Sequence, residues 1–219
     1  MGRLSGFDTF IFDWDGTISK LGIIYLINRK LNPYWLYRKS RSFRGVREPR
    51  ESEIRKYIGN VYSREMYAIR DRENLIMVRM IDVLHNFSRP KLNYGAGEVL
   101  RRLSRKGKSI AVFTDGNISR VLREAEELGV DRYIDAALSA QSIRRLKPDP
   151  LGLRLLLKEL DSDKRRSLVV GDTYDDILSA RRAGIRSCAV ATGLSGFESL
   201  KTRDPDYLFR NFHELELEL

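Results

Sequence analysis

The sequence predicts an α/β protein: a parallel sheet with helices on both faces, interrupted once by an all-helical insert. Three observations carry this. From residue 97 to residue 217, strand-like apolar runs alternate with helical patterns. Four of the apolar runs stop at short polar turns that contain glycine. Between residues 18 and 90 the alternation disappears and only helical spacing is left.

Residues 7–14 read as the first strand. Phe10-Ile11-Phe12 is apolar at consecutive positions, as in a strand covered on both faces, and it stops at Asp13-Trp14-Asp15-Gly16-Thr17. Open α/β sheets gather their ligands at the carboxyl ends of the strands, so both carboxylates lie on that edge. One use of such a pair is covalent phosphoryl transfer: one carboxylate attacks, the other moves a proton, and a divalent cation screens the charge. Taken alone, the pair fits an ordinary Asp-rich turn equally well.

The next interval reads as helices. An apolar run at 21–27 leads to a helix that ends before Pro33. Tyr34, Trp35 and Tyr37 precede a basic run through Arg41, Arg44, Arg47 and Arg50. Ser52 caps a short helix that Gly59 ends, and Met66, Ile69, Ile76, Met80, Val83, Leu84 and Phe87 recur at helical spacing. Residues 20–91 hold 17 basic and 7 acidic residues, which accounts for the whole net charge of +10. Such a local excess marks an inserted domain with a surface that prefers anions, or simply a solvated arginine-rich face.

Beyond Pro90 the order is regular. Residues 97–106 form a helix and 109–113 a strand that ends at Thr114-Asp115-Gly116-Asn117. A helix at 118–128 closes at Gly129, and 136–139 is a short strand. Lys147-Pro148-Asp149-Pro150 precedes a helix that runs to 160. The strand at 167–170 ends at Gly171-Asp172-Thr173, a helix follows at 174–183, and 187–191 is a strand that ends at Thr192-Gly193. A last strand at 207–209 and a short acidic helix at 212–217 complete the pattern.

Composition narrows the function. The chain has 219 residues, 42% hydrophobic and 32% charged, as in a folded globular protein. No apolar run approaches the roughly 20 residues of a membrane span, and residues 1–6 lack the apolar stretch of a signal peptide. With Cys188 as its single cysteine the chain has no internal disulfide, and a cytoplasmic location is the expectation. Cys188 sits in an apolar run and reads as a small core residue. His85 and His213, the two histidines, fall on separate helical segments and make no metal site or triad.

The strand ends therefore carry the chemistry. They bring Asp13 and Asp15 beside Thr114, Asp115 and Gly116, then Asp172 with Asp175 and Asp176 just beyond. Clustered carboxylates repel one another unless a cation sits among them, and an all-oxygen set points to Mg²⁺. Lys147, the Thr114 hydroxyl and the N–H groups near Gly116 and Gly16 would hold phosphate oxygens.

Asp13-Trp14-Asp15-Gly16-Thr17, Thr114 at a strand end, Lys147-Pro148 and Gly171-Asp172-Thr173-Tyr174-Asp175-Asp176 resemble, in order, the four motifs of the haloacid dehalogenase superfamily. The Lys-Pro segment and the Gly-Asp-Thr motif are most similar to the phosphoglycolate phosphatase branch. The resemblance covers the whole chain. It implies a Rossmann-like core at residues 1–17 and 91–219 and a helical, basic cap at 18–90.

The resemblance also implies roles. Asp13 would be the nucleophile and a metal ligand. Asp15 would protonate the leaving group, then activate water, with its backbone carbonyl on the metal. Thr114, Asp115 and Gly116 would surround the phosphoryl group, and Lys147 would neutralise it together with Asp13. Asp172 would be the third metal ligand, with Asp176 as an outer ligand or orienting group. Asp15 distinguishes the chain from dehalogenases, whose halide leaves without a proton, and from phosphonate-cleaving relatives. Two departures stand out: Asp115 where Asn is common, and Leu92-Asn93-Tyr94-Gly95 without the usual Pro.

The expected function is Mg²⁺-dependent hydrolysis of a small phosphorylated metabolite, phosphoglycolate-like first, through an aspartyl phosphate. The alternatives are a phosphomutase of the same architecture, or a catalytically silent module that binds nucleic acid or an acidic partner through the basic cap. Contact of that cap with nucleic acid or a membrane surface ranks below a small-molecule partner.

Overall fold

The computed structural model of the chain describes residues 2–22, 89–140, 142–143 and 145–219. Six strands, β1 (Thr9–Phe12), β2 (Ser109–Thr114), β3 (Ala136–Ser139), β4 (Ser167–Gly171), β5 (Arg186–Val190) and β6 (Tyr207–Phe209), form one sheet in the order β3-β2-β1-β4-β5-β6. Every neighbouring pair is parallel. Among the described residues the α-helices are α1 (Ala96–Arg105), α2 (Ile118–Glu127), α3 (Leu151–Glu159), α4 (Tyr174–Ala183), α5 (Phe197–Lys201) and α6 (Phe212–Leu217). This is the Rossmann-like architecture that the alternation of elements predicts.

Strand β1 is central because both its faces are apolar. In register, Phe10 pairs with Ile110 and Leu168, and Phe12 with Val112 and Val170. These six side chains point to one face, where they pack with Val99, Leu100 and Leu103 of α1, Val121 and Leu122 of α2, and Phe212 and Leu215 of α6. Ile11, Ala111 and Val169 point to the other face, with Leu153 and Leu156 of α3 and Ala180 of α4. Consecutive apolar residues on a strand thus feed two cores, as in sheets covered on both sides.

Beyond shifts of about one residue at several boundaries, two features differ from the sequence expectation. Regular pairing of the first strand runs only from Thr9 to Phe12, although the Asp13 N–H still donates to the Val170 carbonyl at 2.9 Å. Helix α5 has no counterpart in the sequence reading; five residues are too few to show a helical period.

The expected helical cap at 18–90 lies outside the described residues, apart from 18–22 and 89–90. Its two connections run side by side. The Lys20 N–H donates to the Lys91 carbonyl at 2.7 Å and the Asn93 N–H to the Ile18 carbonyl at 2.9 Å. Ser19 and Leu92 form an antiparallel bridge. Among the described residues, no helix is long and apolar enough to cross a membrane.

Candidate active site

Two strand ends and one helix start meet around one buried ammonium group. Asp13 follows β1, Asp172 follows β4, and Asp176 lies in the first turn of α4. Lys147, from the loop before α3, is buried with them, and its Nζ donates to Asp13 Oδ1 at 2.6 Å and to Asp176 Oδ1 at 2.7 Å. Its backbone N–H donates to Asp115 Oδ1 at 3.0 Å, and its Nζ lies 5.5 Å from the centre of the Phe113 ring. Asp115 is thus bonded to the loop that carries Lys147.

Asp176 is oriented by its own helix start, and Asp172 by residues of two other segments. Thr173 caps α4, and Asp176 returns the bond: its Oδ2 accepts from the Thr173 N–H at 3.0 Å and from Thr173 Oγ1 at 2.5 Å. One oxygen of Asp176 therefore fixes the helix start while the other holds Lys147. Asp172 accepts from Thr17 Oγ1 at 2.9 Å and from the Leu194 N–H at 2.7 Å. Two glycines make room for it. A Cβ on Gly193 would lie 2.1 Å from Asp172 Oδ2, and one on Gly16, at φ +90°, would lie 2.6 Å from the same atom.

Asp13, Asp172 and Asp176 each present an oxygen within 4.8 Å of the other two. Burial pushes the Asp13 carboxyl well up, and the charges of Asp176 and Asp172 add to this against the pull of Lys147. Burial, with the charge of Asp176, pushes Asp172 up to about 7. Burial acts to lower the Lys147 ammonium, but Asp13, Asp176 and Asp115 outweigh it and hold its pKa well above the usual lysine value. One cation among three close carboxylates leaves negative charge uncompensated. These residues therefore fit a hard divalent cation, which takes carboxylate oxygens and would discharge the remaining repulsion.

Asp15 stands apart from this cluster. Its Oδ1 accepts from Arg120 Nη1 at 2.9 Å and its Oδ2 from Arg120 Nη2 at 2.6 Å. Arg120 belongs to α2, whose Asn117 cap accepts the Arg120 N–H. Thr114 is buried at the end of β2, and its Oγ1 accepts from the Gly116 N–H at 2.9 Å. The Gly16 N–H donates to the Ser19 carbonyl at 2.8 Å. The N–H groups of both glycines thus have intramolecular acceptors, because tight turns satisfy their own donors first. Gly116 has a second use: a Cβ there would lie 2.6 Å from Arg120 Nη2 and 2.9 Å from Asp15 Oδ2.

The sequence reading gives no role to Arg120, Glu124, Asn93 or Thr192. Asn93 Nδ2 donates to the carbonyls of Gly16, at 2.8 Å, and Thr17, at 2.6 Å. Thr192 Oγ1 also donates to the Gly16 carbonyl, at 2.8 Å. The turn after β1 is therefore tied from both sides. A signal for Arg120 and Glu124 was present: opposite charges four residues apart on the helix stripe that carries Val121 and Ala125.

Residues 10–190 match the family described as haloacid dehalogenase-like hydrolase. The chain belongs to that family. Among its relatives, PpaX of Caldanaerobacter subterraneus subsp. tengcongensis is 35% identical over 125 residues, 57% of each chain. Pyrophosphatase PpaX of Bacillus velezensis is 27% identical over 118 residues, 54% of this chain and 55% of that one. The chain thus spans a little over half the length of these relatives. Among solved structures, a phosphoglycolate phosphatase so designated by prediction, from Haemophilus somnus, has a TM-score of 0.68 at 20% identity, over 96% of this chain and 97% of that one. A family hydrolase from Deinococcus radiodurans, solved with bound phosphate and sodium, has a TM-score of 0.64 at 18% identity, over 96% and 94%. At these identities the structures share the fold.

Proposed function

We propose that the chain is a Mg²⁺-dependent phosphatase acting on a small phosphorylated metabolite, phosphoglycolate-like first, with Asp13 as the nucleophile. The observation that carries this reading is Lys147, whose single ammonium reaches both Asp13 and Asp176 beside Asp172. Such a pocket neutralises an attacking carboxylate and a phosphoryl group at the same place. Asp13, Asp172 and Asp176, with the Asp15 carbonyl, would hold Mg²⁺, which screens the charge between carboxylate and phosphate oxygens when bound.

The steps are these. An Asp13 oxygen attacks phosphorus, and the bond to the leaving oxygen breaks as Asp15 gives it a proton. An aspartyl phosphate forms. Asp15 then takes a proton from water, the water oxygen attacks the same phosphorus, and the carboxylate of Asp13 is released with inorganic phosphate. Lys147 stays on Asp13 throughout, Thr114 and Gly116 line the phosphoryl site, and Asp115 holds the loop of Lys147. The basic segment at 20–91 would serve as a cap that favours anionic substrates.

The PpaX relatives favour a second substrate, pyrophosphate. A screen of phosphoglycolate, other phosphate monoesters and pyrophosphate, with Mg²⁺ and with chelator, separates the two. Phosphate release that needs Mg²⁺ and disappears in Asp13→Asn supports the reading. Undiminished release in Asp13→Asn removes Asp13 from the nucleophile role. Transfer of phosphate to a second sugar hydroxyl, in place of release, would assign a mutase.

A further inference from the structure

We propose that Arg120 is a positioning residue for Asp15, held in its own place by Glu124 and the indole of Trp14. The inference rests on Asp15 as the proton carrier. Four groups form a closed ring. Arg120 grips both oxygens of Asp15, at 2.9 and 2.6 Å. Its Nη1 also donates to Glu124 Oε1 at 3.0 Å and Oε2 at 3.1 Å. Glu124 Oε2 accepts the Trp14 Nε1 hydrogen at 2.7 Å. Trp14 precedes Asp15 in the chain, so the backbone closes the ring. The residue between the two catalytic aspartates thus orients one of them through a helix over 100 positions away.

The geometry suits positioning. A single hydrogen bond leaves a carboxylate free to rotate about Cβ–Cγ; the two-pronged grip fixes its plane. Glu124 takes the remaining Nη1 contact, so the guanidinium cannot turn toward solvent without breaking both pairs. The side chains of Arg120 and Glu124 are 7% and 9% exposed, so the pairs lie out of water. Gly116 keeps the space open, since a side chain there would strike both Arg120 and Asp15. Proton transfer is sensitive to such placement: a well-aimed acid or base contributes about 10²–10⁴-fold.

The competing role is purely structural, a buried ion pair that pins α2 to the turn after β1. Kinetics of p-nitrophenyl phosphate hydrolysis, with inorganic phosphate as a competitive probe of the phosphoryl site, tell them apart. Arg120→Met is expected to lower kcat by about 100-fold, with KM and phosphate inhibition changed by less than about threefold. Arg120→Lys, which keeps the charge without the fork, falls between Arg120→Met and wild type. Trp14→Phe keeps the bulk, loses the N–H, lowers kcat by about three- to tenfold, and adds nothing further when combined with Arg120→Met. Should Arg120→Met not fold, Trp14→Phe and Glu124→Gln carry the same test. An unchanged kcat in the folded variants, or a fall in kcat matched by an equal weakening of phosphate inhibition, overturns the positioning role. If wild-type activity needs Asp13 but ignores Arg120, only this inference falls; if it ignores Asp13, the reading of the site falls.

Discussion

Lys147 Nζ lies 2.6 Å from Asp13 Oδ1, although 134 positions separate the two residues. The contact is buried and shared with Asp176. Removing one member of such a group leaves the others charged and unsolvated. Lys147→Met should abolish turnover and, at neutral pH without metal, destabilise the fold by about 3–5 kcal/mol. Thermal melts with and without Mg²⁺ check this; the cation should recover part of the loss, since it supplies positive charge at the same place.

On the proposed reading, protons and Mg²⁺ would compete at Asp172. Its carboxyl is pushed up to about 7, mainly by burial, against an ordinary value of 3.8. The folded chain therefore binds more protons than the unfolded chain between these values, and its stability falls as pH rises through that window. Divalent binding needs the carboxylate, so metal affinity rises with pH up to about 7. The melting shift produced by Mg²⁺ should be larger at about pH 8 than at about pH 5.5. An equal shift at both values would place the ion away from Asp172.

Gly193 tests the packing around that carboxylate. Any Cβ there lies 2.1 Å from Asp172 Oδ2, so Gly193→Ala must displace it. The variant should lose about 1–3 kcal/mol of stability. Metal affinity should fall by about 10-fold, as when a group that orients a ligand is disturbed. Mg²⁺ titration of the folded variant reads the second effect directly.

Cys188 should be inert. It is buried in β5, and burial pushes its thiol well above the usual range. A chromogenic disulfide reagent at about pH 8 should leave the folded protein unlabelled and find one thiol after denaturation. Rapid labelling of the native chain would contradict its place in the core.

The carboxylate cluster was legible because each member ends an apolar run or begins a helix. Asp13 and Asp172 follow β1 and β4, and parallel strands put their carboxyl ends on one edge. Asp176 was placed by the resemblance; its capping box with Thr173 is a structural finding. Lys147 was placed beside Asp13 by the resemblance, but its bond to Asp176 was a matter of tertiary structure. Arg120 was illegible as a site residue for the same reason: an i,i+4 pair with Glu124 says nothing about Asp15, 105 positions away. The turn ties from Asn93 and Thr192 also join segments far apart in sequence.

The most direct test asks which atom carries the phosphoryl group. Enzyme acid-quenched during turnover and reduced with borohydride converts an acyl phosphate to an alcohol, and peptide mass locates the change. The account predicts the modification on Asp13 and on no other carboxylate. A phosphoryl group trapped elsewhere, or turnover in Asp13→Asn, would contradict it.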